Sequence, residues 1–252
     1  MRRIPPFRAL IRAVESTLIR RHAPRVEPVL DLGCGDGTFA AVTLATPLAY
    51  GLDPNGADLA RARRSGVYTH VHEAPAHRIP LPDHACGLVL ANSVLEHIPD
   101  LDPVLQEAHR VLRPEGWLVI TAPNHRFGDG FGVVVMLERV GLKAIARRYR
   151  AWFNRLAQHH HLLSAADWAA RLSAAGFVVV QHEYYLSPSA MFWFDLLHYV
   201  SVPSLLARKA LGRWHWFGAP LFAGAWTNAL LRLARQPAAD NGACIFLLAR
   251  RV

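Results

Sequence analysis

The chain alternates between two patterns of apolar and polar positions. Short apolar runs, typical of buried strands, are separated by stretches whose apolar residues recur three and four positions apart, as on an amphipathic helix. The runs predict strands at residues 29–32, 48–52, 67–71, 88–91, 117–121, 177–180 and 243–249. The wider spacing predicts helices at residues 7–22, 39–44, 57–64, 103–112 and 165–175. Because strands and helices alternate, we expect a single α/β domain over residues 1–252, with a mostly parallel sheet covered by helices on both faces.

Three segments depart from this alternation. Residues 1–25 contain a basic amphipathic helix, which either packs on the domain edge with solvated arginines or contacts an anionic surface. Residues 126–158 form an insert with a basic run. Residues 186–235 form a longer insert that is rich in Phe, Trp, Leu and Ala. We predict that this last insert is an apolar helical cap before the last strand.

The composition is apolar and basic. Hydrophobic residues make up 52% of the chain, which excludes a disordered or collagen-like protein. With 28 Lys and Arg against 19 Asp and Glu, the net charge is +9, so an anionic partner is expected: nucleic acid, an acidic membrane face or an acidic substrate.

The number and spacing of the cysteines indicate the kind of cellular compartment in which the protein works. Cys34, Cys86 and Cys244 are too few and too far apart for a disulfide framework or a CxxC metal site, which fits a reducing environment. The N-terminal segment lacks the uninterrupted apolar core of a secretory signal. We therefore expect a cytoplasmic protein, with attachment to the inner face of a membrane as an alternative.

A glycine-rich turn is the segment that says most about function. Residues 29–39 read VLDLGCGDGTF, a buried strand followed by three alternating glycines and then a helix. Glycines allow a sharp turn and close approach of a ligand, and the free N–H groups at the helix start suit a carboxylate or phosphate. The next strand ends at Asp53, whose carboxylate can accept two hydrogen bonds from a ribose. Together these features predict a nucleoside site; the alternative is a turn that only reverses the chain.

These segments resemble the motifs of class I S-adenosylmethionine-dependent methyltransferases. The matching stretches are VLDLGCGDG, GLDP, RIPLPDHACGLVLANSVLEHIPD and VLRPEGWLVITAPN, and they are most similar to the type 11 branch that includes ubiquinone and menaquinone biosynthesis enzymes. The resemblance covers about residues 27–125 and returns at 160–177. It implies a Rossmann-like sheet of seven strands, the last one antiparallel and inserted between the fifth and sixth, with S-adenosylmethionine as cofactor.

The resemblance also implies where the donor binds. The methionine end would contact the glycine turn, and the ribose would bind the acid after the second strand. The adenine would face the loop after the third strand, and the sulfonium would lie over the end of the fourth. The implied residues are Asp31, Gly33, Cys34 and Gly35 for the methionine end, Asp53 and Pro54 for the ribose, Ala74, Pro75 and Ala76 for the adenine, and Asn92 and Ser93 for the sulfonium.

Two positions depart from the family pattern. Members often carry an acid in the loop after the third strand, but that place falls on Pro75, with Glu73 two residues earlier as a candidate substitute. The usual Phe-Asp pair before the fourth strand is replaced by Cys86 and Gly87. Neither change touches the glycine turn or Asp53, so donor binding is still expected.

The candidate chemistry is an in-line displacement in which the protein mainly positions the acceptor. A hydroxyl acceptor needs a base, and His97 is our first choice because it follows the fourth strand and its ordinary pKa is near neutral. The alternative is that His97 caps a turn or bonds to the backbone. His125 is the second choice. The run His159–His161 lacks accompanying ligands, so no metal is expected.

The acceptor is the open question. Residues 186–235 contain aromatic clusters at 191–194 and 214–217, and form either a lid over a hydrophobic acceptor, a membrane contact or a cap packed on the core. The basic residues between the clusters are Arg208, Lys209 and Arg213. We expect O- or C-methylation of a small-molecule or lipid-like acceptor. The alternatives are a non-catalytic nucleoside-binding module and a nucleic-acid methyltransferase, the latter disfavoured because no RNA-binding module is recognisable.

Overall fold

The computed structural model describes residues 6–45, 47–200 and 240–252. Within these residues, the strands are β1 Val29–Leu32, β2 Leu48–Asp53, β3 Tyr68–Glu73, β4 Cys86–Asn92, β5 Leu112–Pro123, β6 Phe177–Tyr185 and β7 Cys244–Arg251. The helices are α1 Pro6–His22, α2 Thr38–Thr43, α3 Gly56–Ser65, α4 Asp102–Val111, α5 Gly132–Arg139, α6 Lys143–Leu156, α7 Ala165–Ala174 and α8 Pro188–Val200, with a 3₁₀ turn at Leu95–His97.

The strands form one seven-stranded sheet in the order β3-β2-β1-β4-β5-β7-β6. The first five strands in the chain pair in parallel, and β7 lies between β5 and β6 in the antiparallel C-terminal part. Every residue of β1 and β4 is buried, as expected for central strands covered on both faces. The predicted fold class and strand order are therefore confirmed, and the ends of β1, β2 and β4 lie side by side.

Strands β5 and β6 extend furthest beyond the apolar runs that predicted them. In β5 the register with β4 jumps from Cys86–Leu112 to Leu88–Trp117, so the residues between bulge out of the sheet, and Glu115 there has φ +66°. In β6 the strand continues beyond residue 180 through polar side chains to Tyr185. Neither extension contains an apolar run, so the spacing of apolar residues did not predict it.

Helix α1 forms where the sequence predicts a helix, and most of its arginines are exposed. The apolar residues Leu10, Val14, Leu18 and Ile19 are buried. Arg20 donates to the backbone carbonyl of Thr43, with Nε and oxygen 2.9 Å apart, and to that of Val42. This arginine is exposed and also satisfies carbonyls at the end of α2.

The chain divides into two compact units. The donor unit, as we call it, comprises residues 15–125, 158–183 and 245–252 and contains the sheet apart from its few residues at 184–185 and 244. The helical unit comprises residues 1–14, 126–157 and 184–244 and takes in both expected inserts. Of the expected cap, the structure describes α8; the aromatic cluster at 214–217 and the basic residues Arg208, Lys209 and Arg213 lie outside the described residues.

The helical unit has its own aromatic core. Helix α5 packs on α6 and α8, and the rings of Phe131 and Phe153 lie 4.6 Å apart between their centroids. At the edge of this core, the buried Asp195 accepts hydrogen bonds from the backbone N–H of Val133 at 3.2 Å and from the Tyr149 hydroxyl at 3.0 Å. Among the described helices, none is both long and apolar enough to cross a membrane.

Candidate functional site

The glycine turn joins β1 to α2 and is held against the end of β2. The N–H groups of Gly33 and Cys34 both donate to the carbonyl of Leu52, at 2.7 and 3.0 Å. Gly33 has φ +74°, and a Cβ there would lie 2.4 Å from Cγ2 of Val94, so both conformation and space demand glycine. Gly35 has φ +54°, but no atom lies within 4 Å of where its Cβ would stand. The turn is thus packed at its first glycine and open at its second.

Asp53 faces this turn from the end of β2. Its Oδ2 accepts from the N–H of Gly35 at 2.9 Å, and its Oδ1 accepts from the N–H of Asn55 at 2.8 Å. The adjoining Pro54 is exposed. Because an ionised carboxylate has about four acceptor positions, Asp53 is fixed in place and still has capacity for two hydroxyl donors.

A buried pair lies beneath the turn. The hydroxyl of Tyr68 on β3 donates to Oδ2 of Asp31 at 2.5 Å, and both side chains are buried. Burial and the charge of Asp31 raise the pKa of Tyr68, and the same causes raise the pKa of the neighbouring Cys34 thiol. The phenol and the thiol therefore stay protonated, while Asp31 keeps its orientation. Nothing in the motif pattern indicated Tyr68.

The loop after β3 begins beside Asp53. The N–H of Ala74 donates to the carbonyl of Asp53 at 3.3 Å, and a turn follows at Pro75, which is exposed, while Ala76 is buried. Glu73 is the register partner of Asp53, and its carboxylate lies over the start of α3, near Gly56. It therefore shares the strand end with Asp53 but reaches toward α3.

Helix α4 holds the continuation of this loop. Glu107 accepts from the N–H of Ile79 at 2.8 Å, and Arg110 donates to the carbonyls of Ile79 and Leu81 at 2.9 and 2.8 Å. The hydrogen bond from Arg110 also lowers the pKa of Glu107, so this carboxylate is ionised at neutral pH. The loop is thereby tied to the helix by charged groups that the sequence analysis did not single out.

At the end of β4, a fully buried carboxylate from α1 organises the site. Oε1 of Glu15 accepts from the hydroxyl of Ser93 at 2.6 Å, and Oε2 accepts from Nδ2 of Asn92 at 3.2 Å. Thr121 on β5 donates to Oδ1 of Asn92 at 2.9 Å and accepts from the N–H of Ser93 at 3.1 Å. Ser93 has φ +50°, a strained conformation that this network holds.

The sequence analysis missed Glu15 because α1 was interpreted through its arginines. A signal was available, since Glu15 lies four residues after Ile11 and three and four before Leu18 and Ile19, on the apolar stripe of the helix. An acid on such a stripe has to find polar partners when the stripe is buried.

The glycine turn and this strand end lie within a stretch that matches a known family. A family model described as a methyltransferase domain matches residues 6–182. The chain belongs to this family. The match begins in α1 and ends in β6, so it includes every predicted donor-binding residue and also Glu15.

Individual relatives agree with the family assignment. A protein from Mycolicibacterium smegmatis named a probable S-adenosylmethionine-dependent methyltransferase is 32% identical over 97 residues, 38% of each chain. A ubiquinone biosynthesis O-methyltransferase from Azorhizobium caulinodans is 25% identical over 159 residues, covering 59% of this chain and 58% of the relative. The chain thus spans well under two thirds of the length of these relatives.

Solved structures agree on the fold. A methyltransferase structure from Thermotoga maritima, described as a possible histamine N-methyltransferase, superposes with a TM-score of 0.60 at 17% identity. The match covers 98% of this chain and 91% of the other. At this identity the likeness concerns the fold alone, and it agrees with the seven-stranded sheet of the described residues.

The second departure from the family motif has a steric cause in this methyltransferase domain. The N–H of Gly87 donates to the carbonyl of Pro28 at 2.8 Å, and a Cβ at Gly87 would lie 2.5 Å from Cγ1 of Val26 and 2.9 Å from the carbonyl oxygen of Glu27. The segment before β1 crosses so closely that a side chain has no room. The strand entry is held by backbone contact instead of a carboxylate.

His97 ends the 3₁₀ turn after β4 and is exposed. Its Nδ1 lies 3.2 Å from the carbonyl oxygen of Gln158, which can only accept, so Nδ1 carries the proton. Nε2 lies 3.7 Å from Oε1 of Glu96. The backbone bond that we considered as an alternative role is therefore present.

The other histidines near this turn have different surroundings. The ring of His159 lies 5.5 Å from that of His97, and burial together with the charge of His97 lowers the pKa of His159 to about 4. His125 is exposed after β5, and after the hydrogen bonds from Ser164 it contributes to lowering the pKa of Asp167 at the start of α7. In the described ranges no three His, Cys, Asp or Glu side chains form a metal-binding group.

Proposed function

We propose that the protein transfers a methyl group from S-adenosylmethionine to oxygen or carbon of a small-molecule or lipid-like acceptor. The observation that carries this proposal is the carboxylate of Asp53, oriented by the N–H of Gly35 beside a turn that is open at that glycine. A fixed carboxylate with two free acceptor positions suits the two hydroxyls of a ribose. Family membership over residues 6–182 supports the same donor.

The donor contacts follow from the strand ends. The glycine turn and Asp31 would contact the methionine end, Pro54 would flank the ribose, and the loop at Ala74, Pro75 and Ala76 would face the adenine. Asn92 and Ser93 would lie under the sulfonium. Support for this last contact comes from Glu15, whose two hydrogen bonds hold both side chains in one orientation. Preorganised groups of this kind lose little entropy when a ligand binds.

Bound S-adenosylmethionine supplies an activated methyl group on a sulfonium. The protein then has to orient the acceptor, exclude water and take up the acceptor's proton. We assign the proton to Nε2 of His97, because Nδ1 is occupied by its bond to the carbonyl of Gln158. The carboxylate of Glu96, 3.7 Å from Nε2, would stabilise the resulting imidazolium. His125 remains the second candidate.

The acceptor class rests on the relatives and on the apolar character of the inserts. The Azorhizobium relative is named for ubiquinone biosynthesis, and another from Enterobacter lignolyticus, 32% identical over 111 residues, is a malonyl-[acyl-carrier protein] O-methyltransferase. Both relatives are named as O-methyltransferases. In the helical unit, Met191 and Phe194 of the predicted lid cluster are buried, whereas Phe192 is exposed.

The test uses methyl-labelled S-adenosylmethionine and separate lipid, small-metabolite and RNA fractions. We expect label in a lipid or small-molecule product with the wild-type protein, and about 10–150-fold less with the Asp53→Ala variant when the donor is far below saturation. Label in RNA would contradict the proposed acceptor class but would support methyl transfer as the reaction. Absence of label from every fraction, together with no binding of S-adenosylhomocysteine, would contradict the proposed function.

A further inference from the structure

The basic charge of the protein is concentrated in one of its two units. The helical unit contains 16 Lys and Arg against 4 Asp and Glu, a net charge of +12. The donor unit contains 12 against 15, a net charge of −3. Residues 201–239 contain no acidic residue, so they cannot neutralise the rest of the helical unit. An anionic partner of this protein is therefore attracted to the helical unit.

Helix α6 carries the densest part of that charge. Its sequence, KAIARRYRAWFNRL, has five basic residues and no acidic one. Arg150 donates hydrogen bonds to the carboxylates of Asp129 and Glu138, and its Nη2 lies 3.1 Å from Oε1 of Glu138. The other four are exposed: Lys143, Arg147, Arg148 and Arg155. Exposed cations without neighbouring acids on their own helix form a site for a negatively charged surface rather than a network of ion pairs.

The same helix exposes large apolar side chains. Ile145, Trp152 and Leu156 are 50%, 50% and 61% exposed, and their spacing of seven and four residues places them on one stripe. Ala146 and Phe153, one position further along, are buried in the unit. Three more exposed apolar side chains lie at the end of α5 and in the connection to α6: Met136, Val140 and Leu142.

The combination of basic and apolar side chains on α6 favours one class of anionic partner over another. Phosphates of a nucleic acid would be bound by the arginines, but would leave Trp152 and Leu156 exposed to water. An anionic bilayer satisfies both, because aliphatic and indole side chains enter the boundary between headgroups and acyl chains while cations pair with the headgroups.

We propose that the segment from α5 through α6, residues 132–156, is a peripheral docking surface for an anionic lipid membrane. It extends the lipid-like acceptor class proposed above, because docking would bring the enzyme to membrane-dissolved acceptors. The surface differs from the segment at 186–235, which the sequence analysis considered for lipid contact. Its existence does not depend on catalysis, so it is tested without an acceptor.

Vesicle flotation separates the two components of the surface. We expect wild-type protein to float with vesicles of phosphatidylcholine and phosphatidylserine but weakly with phosphatidylcholine alone. Reversing two charges with Arg148→Glu and Arg155→Glu is expected to lower partitioning to the anionic vesicles at least about tenfold. Replacing Trp152 and Leu156 by Ser is expected to abolish the fraction that remains bound at high salt, because screening removes the electrostatic part alone.

Matched controls lie in the donor unit. Arg63→Glu with Arg64→Glu changes two exposed arginines at the end of α3, and Val178→Ser with Val180→Ser changes two exposed valines on β6 that are 51% and 55% exposed. Both control proteins are expected to float like wild type. Circular dichroism and calorimetric titration with S-adenosylhomocysteine check that every variant is folded and binds the donor product as wild type does.

Three results would overturn the proposal. The first is wild-type protein that fails to float with anionic vesicles. The second is equal loss of flotation in the α3 and β6 controls, which would indicate general attraction rather than a surface on α6. The third is salt-sensitive RNA binding that is lost in the α6 variants without vesicle binding, which would make a nucleic acid the partner. None of these results bears on methyl transfer, which is measured separately.

Discussion

The two units of this protein use polar and apolar residues in opposite ways. In the donor unit, charged groups such as Asp31 and Glu15 are buried and bonded to partners of the same unit, and the net charge is −3. In the helical unit, cations and large apolar side chains of α6 are exposed, and the net charge is +12. The overall charge of +9 therefore describes neither unit. Our proposals give the two units separate tasks: the donor unit orients a small ligand, and the helical unit meets an extended surface.

The largest expected effect concerns the chemistry of the donor unit. His97→Ala is expected to lower turnover 10²–10⁴-fold, the usual consequence of removing a general base, while leaving donor affinity nearly unchanged. Turnover of the labelled acceptor and calorimetry with S-adenosylhomocysteine measure the two quantities. The α6 variants provide the contrast, since they are expected to retain turnover on an acceptor dissolved in detergent. Equal activity of His97→Ala and wild type would contradict the role of His97 as the general base.

A glycine substitution tests how tightly the donor unit is packed around its turn. Gly33→Ala is expected to lower the free energy of unfolding by about 2–5 kcal/mol, from left-handed strain plus the clash with Val94. Gly66→Ala is the matched control: it has φ +68° and no atom within 4 Å of the Cβ position, so strain alone should cost about 1–2 kcal/mol. Urea unfolding measures the loss in the free energy of unfolding for both variants. Equal losses would show that Val94 moves aside without lowering stability.

A third variant tests the buried carboxylate from α1. Glu15→Gln keeps one acceptor for the Ser93 hydroxyl but opposes its own N–H group to that of Asn92. Leaving one buried donor unsatisfied costs about 1–3 kcal/mol, and we expect part of this cost as roughly tenfold weaker binding of S-adenosylhomocysteine. Leu18→Ala, on the same helix and also buried, should reduce stability without this loss of affinity. Equal affinity losses in both variants would make the role of Glu15 merely structural.

The smallest expected effect is a pH dependence. The pKa of His159 lies at about 4 in the folded protein instead of its usual 6.5, so between these values the unfolded chain binds the proton more readily. Its contribution to stability is complete above about pH 6.5 and is lost as pH falls toward 4. The melting temperature should therefore drop less steeply over this interval in His159→Gln than in wild type. Parallel curves would show that His159 is accessible to protons in the folded state.

The parts of the donor unit that follow from local chemistry could be predicted from sequence. The glycine turn and Asp53 belong to short motifs whose residue types are required by backbone conformation or ligand contact. The strand order was implied by the family resemblance. Glu15, Tyr68 and the α4 contacts through Arg110 could not be placed, because each acts on a partner tens of residues away. Strand β6 was underestimated for the same reason, since its polar half is held by neighbours in the sheet.

The helical unit was predicted less completely. The sequence located the insert at 126–158 and its basic run, and for the segment at 186–235 it left open a lid, a membrane contact and a packed cap. The sequence does not say which aromatic side chains are buried. Two neighbours in α6 show this, because Phe153 is buried in the core and Trp152 is half exposed. Sequence spacing gives two faces of a helix but does not say which one the rest of the unit covers.

The most direct test of the donor site is calorimetric titration with S-adenosylhomocysteine. The account predicts that wild-type protein binds it and that Asp53→Ala weakens binding about 10–150-fold, equivalent to about 1.5–3 kcal/mol for hydrogen bonds to a charged group. Asp102→Ala, which removes an exposed carboxylate paired with Arg171, should bind like wild type. Unchanged affinity in a folded Asp53→Ala protein, or no binding by the wild type, would contradict the account.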